Sequence, residues 1–415
     1  MKIAVIGAGI IGITCAYELA RDGHSVSVFE QASAAAVASS FANTGLLSAS
    51  LSAHLSHPAW PNTKWLGGLG ASSQIRLGMH VRLDDLRWLH QWRAQKNRDA
   101  FLDNLACTIR LTQFSQQHLN AIATETKIEF ERTEGQLLLI RSHSELESLN
   151  EKLAFLKEHG VVARQLSTED IPNVEPAFRF ASPLHCAIYF PGDSVGNCRQ
   201  FALAAKKELQ KMGADFYFNA SLSGIELKPA PHLHFRDGLP SMDFDHVVVC
   251  TGTGAQDLLD SLQIRLPMAT IASYSLTARV REGLNAPRGA VHDQRLRTTI
   301  VRMGDRVRVS SGAELGFARE KNNEKTVQHL YHELQQSFPG AADYSSGGQI
   351  WKGTFGVMRD GLPVIGQSAL PGVWLNLGHG PNGWGMASGA ARCLADSMTH
   401  RTPPLSLEKF SPLRF

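Results

Sequence analysis

The sequence predicts an α/β protein in which a nucleotide-binding domain is assembled from separated segments. A second, α+β domain on a mixed, largely antiparallel sheet is inserted into it. Three observations predict this. The chain opens with an apolar strand pattern, a glycine loop, a helix pattern and a second strand pattern. Parallel-sheet material returns at His246–Cys250 and Val373–Leu377. Between these regions lie long helical patterns and a hairpin.

Taken in order, Lys2 to Ile6 is a nearly continuous apolar run ending in glycine, as in a strand buried on both faces. Ile10 to Arg21 has helix-compatible spacing, and Gly23 closes it. Ser25 to Phe29 alternates serine with valine or phenylalanine, and Glu30 follows. From Ala32 to His57 the chain is rich in alanine, serine and glycine, which fits a flexible linker or a small-residue loop lying against a ligand. Helical intervals run from Asp84 to Thr126, and Leu146, Leu149, Leu153 and Leu156 repeat the pattern before Gly160. Gln136 to Ile140 reads as a strand. Thr298–Val301 and Arg306–Val309 flank Gly304-Asp305, a tight hairpin turn. Cys198 to Met212 is helical and Ala214 to Phe218 strand-like. The run His246–Cys250 stops at Thr251 and Gly252.

Composition narrows the function classes. The chain has 415 residues, 43% of them hydrophobic, and a net charge of +3 with scattered Lys and Arg, too weak a basic signal for nucleic acid. No stretch approaches the roughly 18 apolar residues of a membrane span, and no cleavage-site pattern precedes the first strand, so a cytoplasmic protein is expected. Trp60, Trp65, Trp88 and Trp92 lie near Arg76, Arg82, Arg87 and Arg93. This pattern fits either a peripheral contact with the inner membrane or ordinary core tryptophans. Six cysteines are far apart with no CxxC, and the pairs His54/His57 and His329/His332 lack acidic or thiol neighbours. Neither a disulfide framework nor a metal site is expected.

Gly7, Gly9 and Gly12 form GxGxxG between strand and helix. Gly7 permits the turn, Gly9 lets backbone N–H groups approach a diphosphate, and Gly12 allows close helix–strand packing. The helix amino terminus, with Ile10 and Ile11, then faces the phosphates. Glu30 lies at the end of the second strand, where an acid accepts from both ribose hydroxyls and disfavours a 2′-phosphate. FAD and NAD share this fingerprint. A second glycine loop, Gly378-His379-Gly380-Pro381-Asn382-Gly383-Trp384-Gly385, follows the run Val373–Leu377 and opens the helical stretch Met386–Met398. A helix start there would stabilise negative charge on a reduced flavin, with His379 and Asn382 as further donors, so FAD is expected.

With Gly7-Ala8-Gly9-Ile10-Ile11-Gly12, Ser39-Ser40-Phe41-Ala42-Asn43-Thr44-Gly45, Pro191-Gly192-Asp193, Tyr274-Ser275-Leu276, Asp360-Gly361-Leu362-Pro363 and His379-Gly380 in order, the chain resembles the D-amino-acid dehydrogenase small subunit. More broadly it is similar to the glycine oxidase and D-amino-acid oxidase flavoproteins. The resemblance implies a Rossmann-like FAD-binding domain of the glutathione-reductase type, with FAD held non-covalently. That domain would comprise 1–50, 194–266 and 352–415, with 51–193 and 267–351 forming the substrate domain. It also implies oxidation of a D-amino acid or cyclic imino acid by hydride transfer to flavin N5, with electrons passed to a respiratory or quinone-type acceptor, and a homo- or hetero-oligomer. By position, Ser39, Ser40, Asn43, Gly45 and Leu46 would lie along the FAD. Gly378, His379, Gly380, Asn382, Gly383 and Trp384 would lie near its pyrimidine edge. Gln31, Leu222, Thr251 and Gly252 would lie near the nucleotide.

The chain departs from the family pattern of tryptophan, any, glycine, any, arginine, proline. Trp351 and Gly353 fit, but Phe355 and Gly356 stand where the carboxylate-gripping arginine and the proline belong. Losing a bidentate contact removes on the order of 2 kcal/mol of substrate binding. Leu296 stands where the family often has a tyrosine. Arg297, Arg302 and Arg359 are the candidate replacements, and Tyr274 and His54 are further pocket candidates. Two alternatives follow: an amine oxidoreductase with an unusual substrate, or a catalytically decayed flavoprotein subunit.

Overall fold

The protein is described by a computed structural model covering residues 1–50, 75–179, 183–236, 238–317, 319, 321–345 and 347–415. The amino-terminal unit follows its hydrophobic pattern. β1 (Lys2–Ile6) is buried at its last four positions, α1 (Ile10–Arg21) packs over it, and β2 (Ser25–Glu30) lies parallel beside it. A Cβ on Gly12 would sit 1.8 Å from the Gly7 carbonyl oxygen, so only glycine lets helix and strand approach this closely. β1 is flanked on its other side by the strand His246–Val249. The six-stranded sheet is completed by Asp215–Phe218, Val373–Leu377 and Val364–Gln367; this last strand alone is antiparallel to its neighbour.

The second sheet is mixed and largely antiparallel. Its centre is the strand Met268–Val280, paired on one edge with Arg306–Leu315 and on the other with Gln349–Met358. The hairpin expected around Gly304-Asp305 joins Thr298–Met303 to Arg306–Leu315. Parallel pairing occurs where Ala290–Asp293 meets Thr133–Ile140 and where Arg76–Leu77 meets Glu314–Leu315.

The helical pattern from Asp84 to Thr126 is two helices, Leu83–Ala94 and Arg98–Thr126. Asn97 starts the second by accepting from the Ala100 N–H at 3.1 Å. The last helix begins at Gly383, three residues before Met386, and runs to Met398. Its small residues let it lie against α1 and the helix Arg98–Thr126, because a Cβ on Gly389 would come within 2.9 Å of Ser115 Cβ. Trp88 and Trp92 are buried core residues, stacked 5.9 Å apart beside Ile271 and Val357, so they present no interfacial surface. Trp60 and Trp65 lie outside the described residues. Among the described residues no helix is long and apolar enough to cross a membrane, and no group of three His, Cys, Asp or Glu could hold a metal ion. All six cysteines are free. The two-domain division at 50, 193, 266 and 351 stands as our proposal; the strand Gln349–Met358 crosses its last boundary while pairing within the antiparallel sheet.

Candidate functional site

A cavity of about 560 Å³ runs from the carboxyl ends of β1 and β2 to the face of the antiparallel sheet. Each wall can be traced to its local chemistry. Gly7 has φ +106, and a Cβ there would meet the Cys250 carbonyl oxygen at 2.7 Å, so the turn out of β1 requires glycine. Gly9, Ile10 and Ile11 then open α1 onto the cavity. The Ile10 N–H donates to Ser40 Oγ at 3.0 Å, placing a hydroxyl at the positive end of the helix. Glu30 accepts from the Ala8 N–H at 2.8 Å and the Ala32 N–H at 2.9 Å. A carboxylate offers about four acceptor positions, so this one is fixed in place with two left for a ribose diol.

Within the alanine- and serine-rich segment, residues 39–45 are pinned to the sheet and form a wall of the cavity, not a flexible linker. Ser275 Oγ donates to the Ala42 carbonyl at 2.8 Å, and Arg308 donates from Nη1 to the Asn43 carbonyl at 2.6 Å and from Nε to Thr277 Oγ1 at 2.8 Å. Burial pulls the Arg308 guanidinium down to about 10, leaving it charged at neutral pH. Ser39 donates to the Thr354 carbonyl, and Asn43 Oδ1 accepts from the Gly45 N–H at 3.1 Å.

The opposite wall is the loop Gly378–Trp384 at the start of the last helix. Asn382 Nδ2 donates to the Ser48 carbonyl and to Thr112 Oγ1, both at 3.2 Å, tying this loop to the pinned segment and to the helix Arg98–Thr126. Val357 bridges to His379. Burial drives the His379 imidazole down to about 3, so it stays neutral and offers hydrogen bonding rather than charge.

The residues present fit FAD. Six cavity-lining residues, Thr251, Ser310, Trp351, Asn376, His379 and Trp384, carry buried side-chain polar atoms without a hydrogen-bond partner among the described residues. Buried polar groups are rarely left unpaired unless a ligand or water completes them. One cavity links a glycine loop opening a helix, an acid at the end of β2 and a second glycine loop opening another helix.

Most sequence-predicted residues come together here. Gly7, Gly9, Ile10, Ile11, Glu30, Gln31, Ser39, Ser40, Asn43, Gly45, Leu46, Leu222, Thr251, Gly252, Gly378, His379, Gly380, Asn382, Gly383 and Trp384 line the cavity, as do Tyr274, Leu296 and Phe355. Gly12 lies behind it, packing helix on strand. Two arginines are elsewhere. Arg302 donates to the Gly304 carbonyl at 3.0 Å and the Gly283 carbonyl at 3.0 Å on the exposed hairpin, because its strand position points it away from the cavity. Arg359 lies over the Phe415 ring and reaches Gln91 at 3.4 Å. His54 lies outside the described residues. Tyr274 turns its hydroxyl to Glu314 Oε2 at 2.8 Å.

Arg297, the third candidate replacement, lines the cavity, and so do Arg76 and His292, whose place in the site the sequence reading did not anticipate. The one signal for Arg297 was its position immediately before a recognisable hairpin strand. For Arg76 there was none, because its two-residue strand has no pattern of its own.

The family described as "DAO: FAD dependent oxidoreductase" matches residues 2–397. Among solved structures, glycine oxidase from Geobacillus kaustophilus is similar with a TM-score of 0.75 and 20% identity, covering 100% of this chain and 98% of that one. L-proline dehydrogenase from P. horikoshii gives 0.76 and 17%, covering 100% and 97%. L-amino acid deaminase from Proteus vulgaris, with its specific insertion sequence deleted, gives 0.70 and 17%, covering 100% and 93%. The site geometry and the near-complete family match lead to the same conclusion: this chain belongs to the DAO family of FAD-dependent oxidoreductases.

Proposed function

We propose that this protein catalyses oxidative deamination of a D-amino acid or cyclic imino acid and acts as a dehydrogenase, passing its electrons to a respiratory or quinone-type acceptor. Bound FAD supplies a two-electron acceptor. That FAD would take up the hydride equivalent lost as the substrate's Cα–H bond breaks and its nitrogen gives up a proton; hydrolysis by water would then convert the imine of a primary amino acid to an oxo acid and ammonia, or open the ring of a cyclic imine with its nitrogen retained. The protein contributes binding and orientation. Gly9, Ile10 and Ser40 would hold the diphosphate, Glu30 the ribose, and the Gly378–Trp384 loop the pyrimidine edge. Tyr274, Leu296 and Phe355 would shape the pocket in which the reacting carbon approaches.

The observation that carries the reading is the single cavity joining the amino-terminal glycine loop to the Gly378–Trp384 loop. The dehydrogenase reading is supported by the ordered motifs shared with the D-amino-acid dehydrogenase small subunit, and an L-proline dehydrogenase is among the proteins of like fold. The test is anaerobic titration of the FAD-loaded protein with a panel of D-amino acids and cyclic imino acids. The reading expects bleaching of the flavin by at least one member, and re-oxidation faster with a quinone than with oxygen. No bleaching by any member would reject it.

A second reading is favoured by Phe355, which offers no donor where the family has its arginine: an amine oxidoreductase whose substrate presents its acidic group differently. Bleaching by amines outside the ordinary α-amino acids, with none from that panel, would support it.

A further inference from the structure

The antiparallel sheet pairs its strands so that one row of side chains crosses five of them on the face turned to the cavity. Trp351 lies opposite Ser275, Ser275 opposite Ser310, Ser310 opposite Thr299, and Thr299 opposite His292. Directly opposed residues share a face of the sheet, and all five line the cavity. At a strand spacing of about 4.8 Å, Thr299 and His292 follow Ser310 at about 5 and 10 Å along the row.

The hydrogen-bonding capacity of this row exceeds what the protein itself uses. Ser275 is committed, because its hydroxyl donates to the Ala42 carbonyl at 2.8 Å. Ser310 is 6% exposed, and its Oγ is buried with no hydrogen-bond partner among the described residues. Trp351 Nε1 is in the same condition. His292 Nδ1 lies 2.8 Å from Thr299 Oγ1, and the Gln294 side chain is a further hydrogen-bond partner of the ring. The imidazole and the Thr299 hydroxyl therefore hold each other in a set orientation on the cavity wall.

The row is also neutral. Burial drives the His292 imidazole down to about 4, against the pull of Asp293 and with the charge of Lys152 adding to the effect. Asp293 is itself bound to Arg141, whose Nη2 lies 2.6 Å from Oδ2. Arg308, two residues before Ser310 and on the same face, gives its Nε to Thr277 and its Nη1 to the Asn43 carbonyl. The segment expected to run along FAD is thus held over the adjacent row. The strands bearing Ser310, Thr299 and His292 carry none of the residues expected along FAD.

A hydroxyl and a neutral imidazole can each give and take a hydrogen bond. A carboxylate would offer them acceptors alone and an ammonium donors alone, whereas a ligand hydroxyl offers both. A pocket built to hydrogen-bond a hydroxyl discriminates against the analogue that lacks it, because its own polar groups are then left unpaired.

We infer that Ser310, Thr299 and His292 form a hydroxyl-binding face of the substrate pocket, and that the substrate is an amine whose side chain or ring carries a hydroxyl group. This rests on the amine-oxidising reading for its substrate, but the hydroxyl-binding face is testable without turnover.

The probes are butyrate, 3-hydroxybutyrate and 4-hydroxybutyrate, which share one carboxylate and a four-carbon chain and have no amine to oxidise. Their binding to the FAD-loaded protein is read by calorimetry and by perturbation of the flavin absorbance. At least one hydroxy acid is expected to bind tenfold or more tightly than butyrate. Ser310→Ala should remove that advantage while butyrate binds as before, and Thr299→Val, which keeps the shape of the side chain, should reduce it at least threefold. Circular dichroism reports that both variants have folded. Butyrate binding as tightly as both hydroxy acids, no binding of any of the three, or an advantage that survives in both folded variants would overturn the site. So would a folded Ser310→Ala that no longer holds FAD, because the hydroxyl would then belong to the cofactor. Flavin bleached by amines without any preference for a hydroxy acid leaves the function standing and removes this inference. Ser310-dependent binding of a hydroxy acid with no amine able to bleach the flavin does the reverse.

Discussion

At the scale of single residues, the cofactor end of the site makes the sharpest predictions. Glu30 is oriented by two backbone N–H groups, so its remaining oxygen positions are fixed before any ligand arrives. Charge-assisted hydrogen bonds contribute about 1.5–3 kcal/mol, and Glu30→Ala is expected to weaken FAD binding at least tenfold in a fluorescence titration. Unchanged affinity would remove Glu30 from the site. Gly12→Ala places a Cβ on top of the Gly7 carbonyl and should lower the unfolding free energy by about 3 kcal/mol, seen as a shifted denaturation midpoint.

Glu175 gives a prediction in pH. Its carboxylate accepts from the Arg288 N–H at 2.9 Å and the Gly289 N–H at 3.4 Å, yet burial pushes it up to about 7. The folded state therefore binds more protons than the unfolded state between about 4.5 and 7, and stability from this group falls as pH rises through that window. Glu175→Gln should flatten the dependence of the melting temperature on pH between 5 and 7. An unchanged slope would show that the Glu175 carboxyl does not contribute to it.

These residues differ in how readable they were. Gly7, Gly9, Gly12 and Glu30 could be read from sequence because each acts within a unit of thirty residues whose spacing is set by one turn. Arg297 is placed at the cavity by Asp293, Ser311 and a strand edge shared with Arg76, which comes more than two hundred residues earlier in the chain. No local pattern carries that information.

At the scale of elements, Asn382 couples the second glycine loop to the segment that follows Gly45 and to a long helix. Its amide reaches the Ser48 carbonyl and Thr112 Oγ1, joining the Gly378–Trp384 loop, the segment after Gly45 and the helix Arg98–Thr126. Asn382→Ala leaves a buried carbonyl and a buried hydroxyl short of a donor, a loss of about 1–2 kcal/mol. The expected outcome is weaker FAD binding with the helical circular dichroism unchanged; FAD binding equal to that of the natural protein would contradict the coupling. β1, α1, β2 and the last helix were legible because each is a short apolar run, an alternating stretch or a helically spaced stretch lying next to glycines. Met268–Val280 was missed as a strand, although Tyr274-Ser275-Leu276 within it drew notice. Only its second half alternates, with Tyr274, Leu276, Ala278 and Val280 against Ser275, Thr277 and Arg279, while Met268 to Ser273 shows no period of two. The break at Asn97 was missed for the opposite reason. The helical period continues on both sides of it, and only the cap betrays the new start.

At the scale of the whole molecule, the account says that the two sheets meet across one dinucleotide. The cavity takes its walls from residues near the beginning, middle and end of the chain. A ligand bridging them should stabilise the folded state as a whole, by about 2.7 kcal/mol at a hundredfold excess over its dissociation constant. The melting temperature is therefore expected to rise with FAD concentration, and NAD at equal concentration should produce no comparable rise. The measurement that addresses the central claim most directly is a crystal structure of the protein grown with FAD. The account predicts the diphosphate against the backbone of Gly9–Ile11, the ribose on Glu30 and the isoalloxazine beside Gly378–Gly383. FAD bound away from either glycine loop, or a cleft without ligand density at saturating FAD, would contradict it.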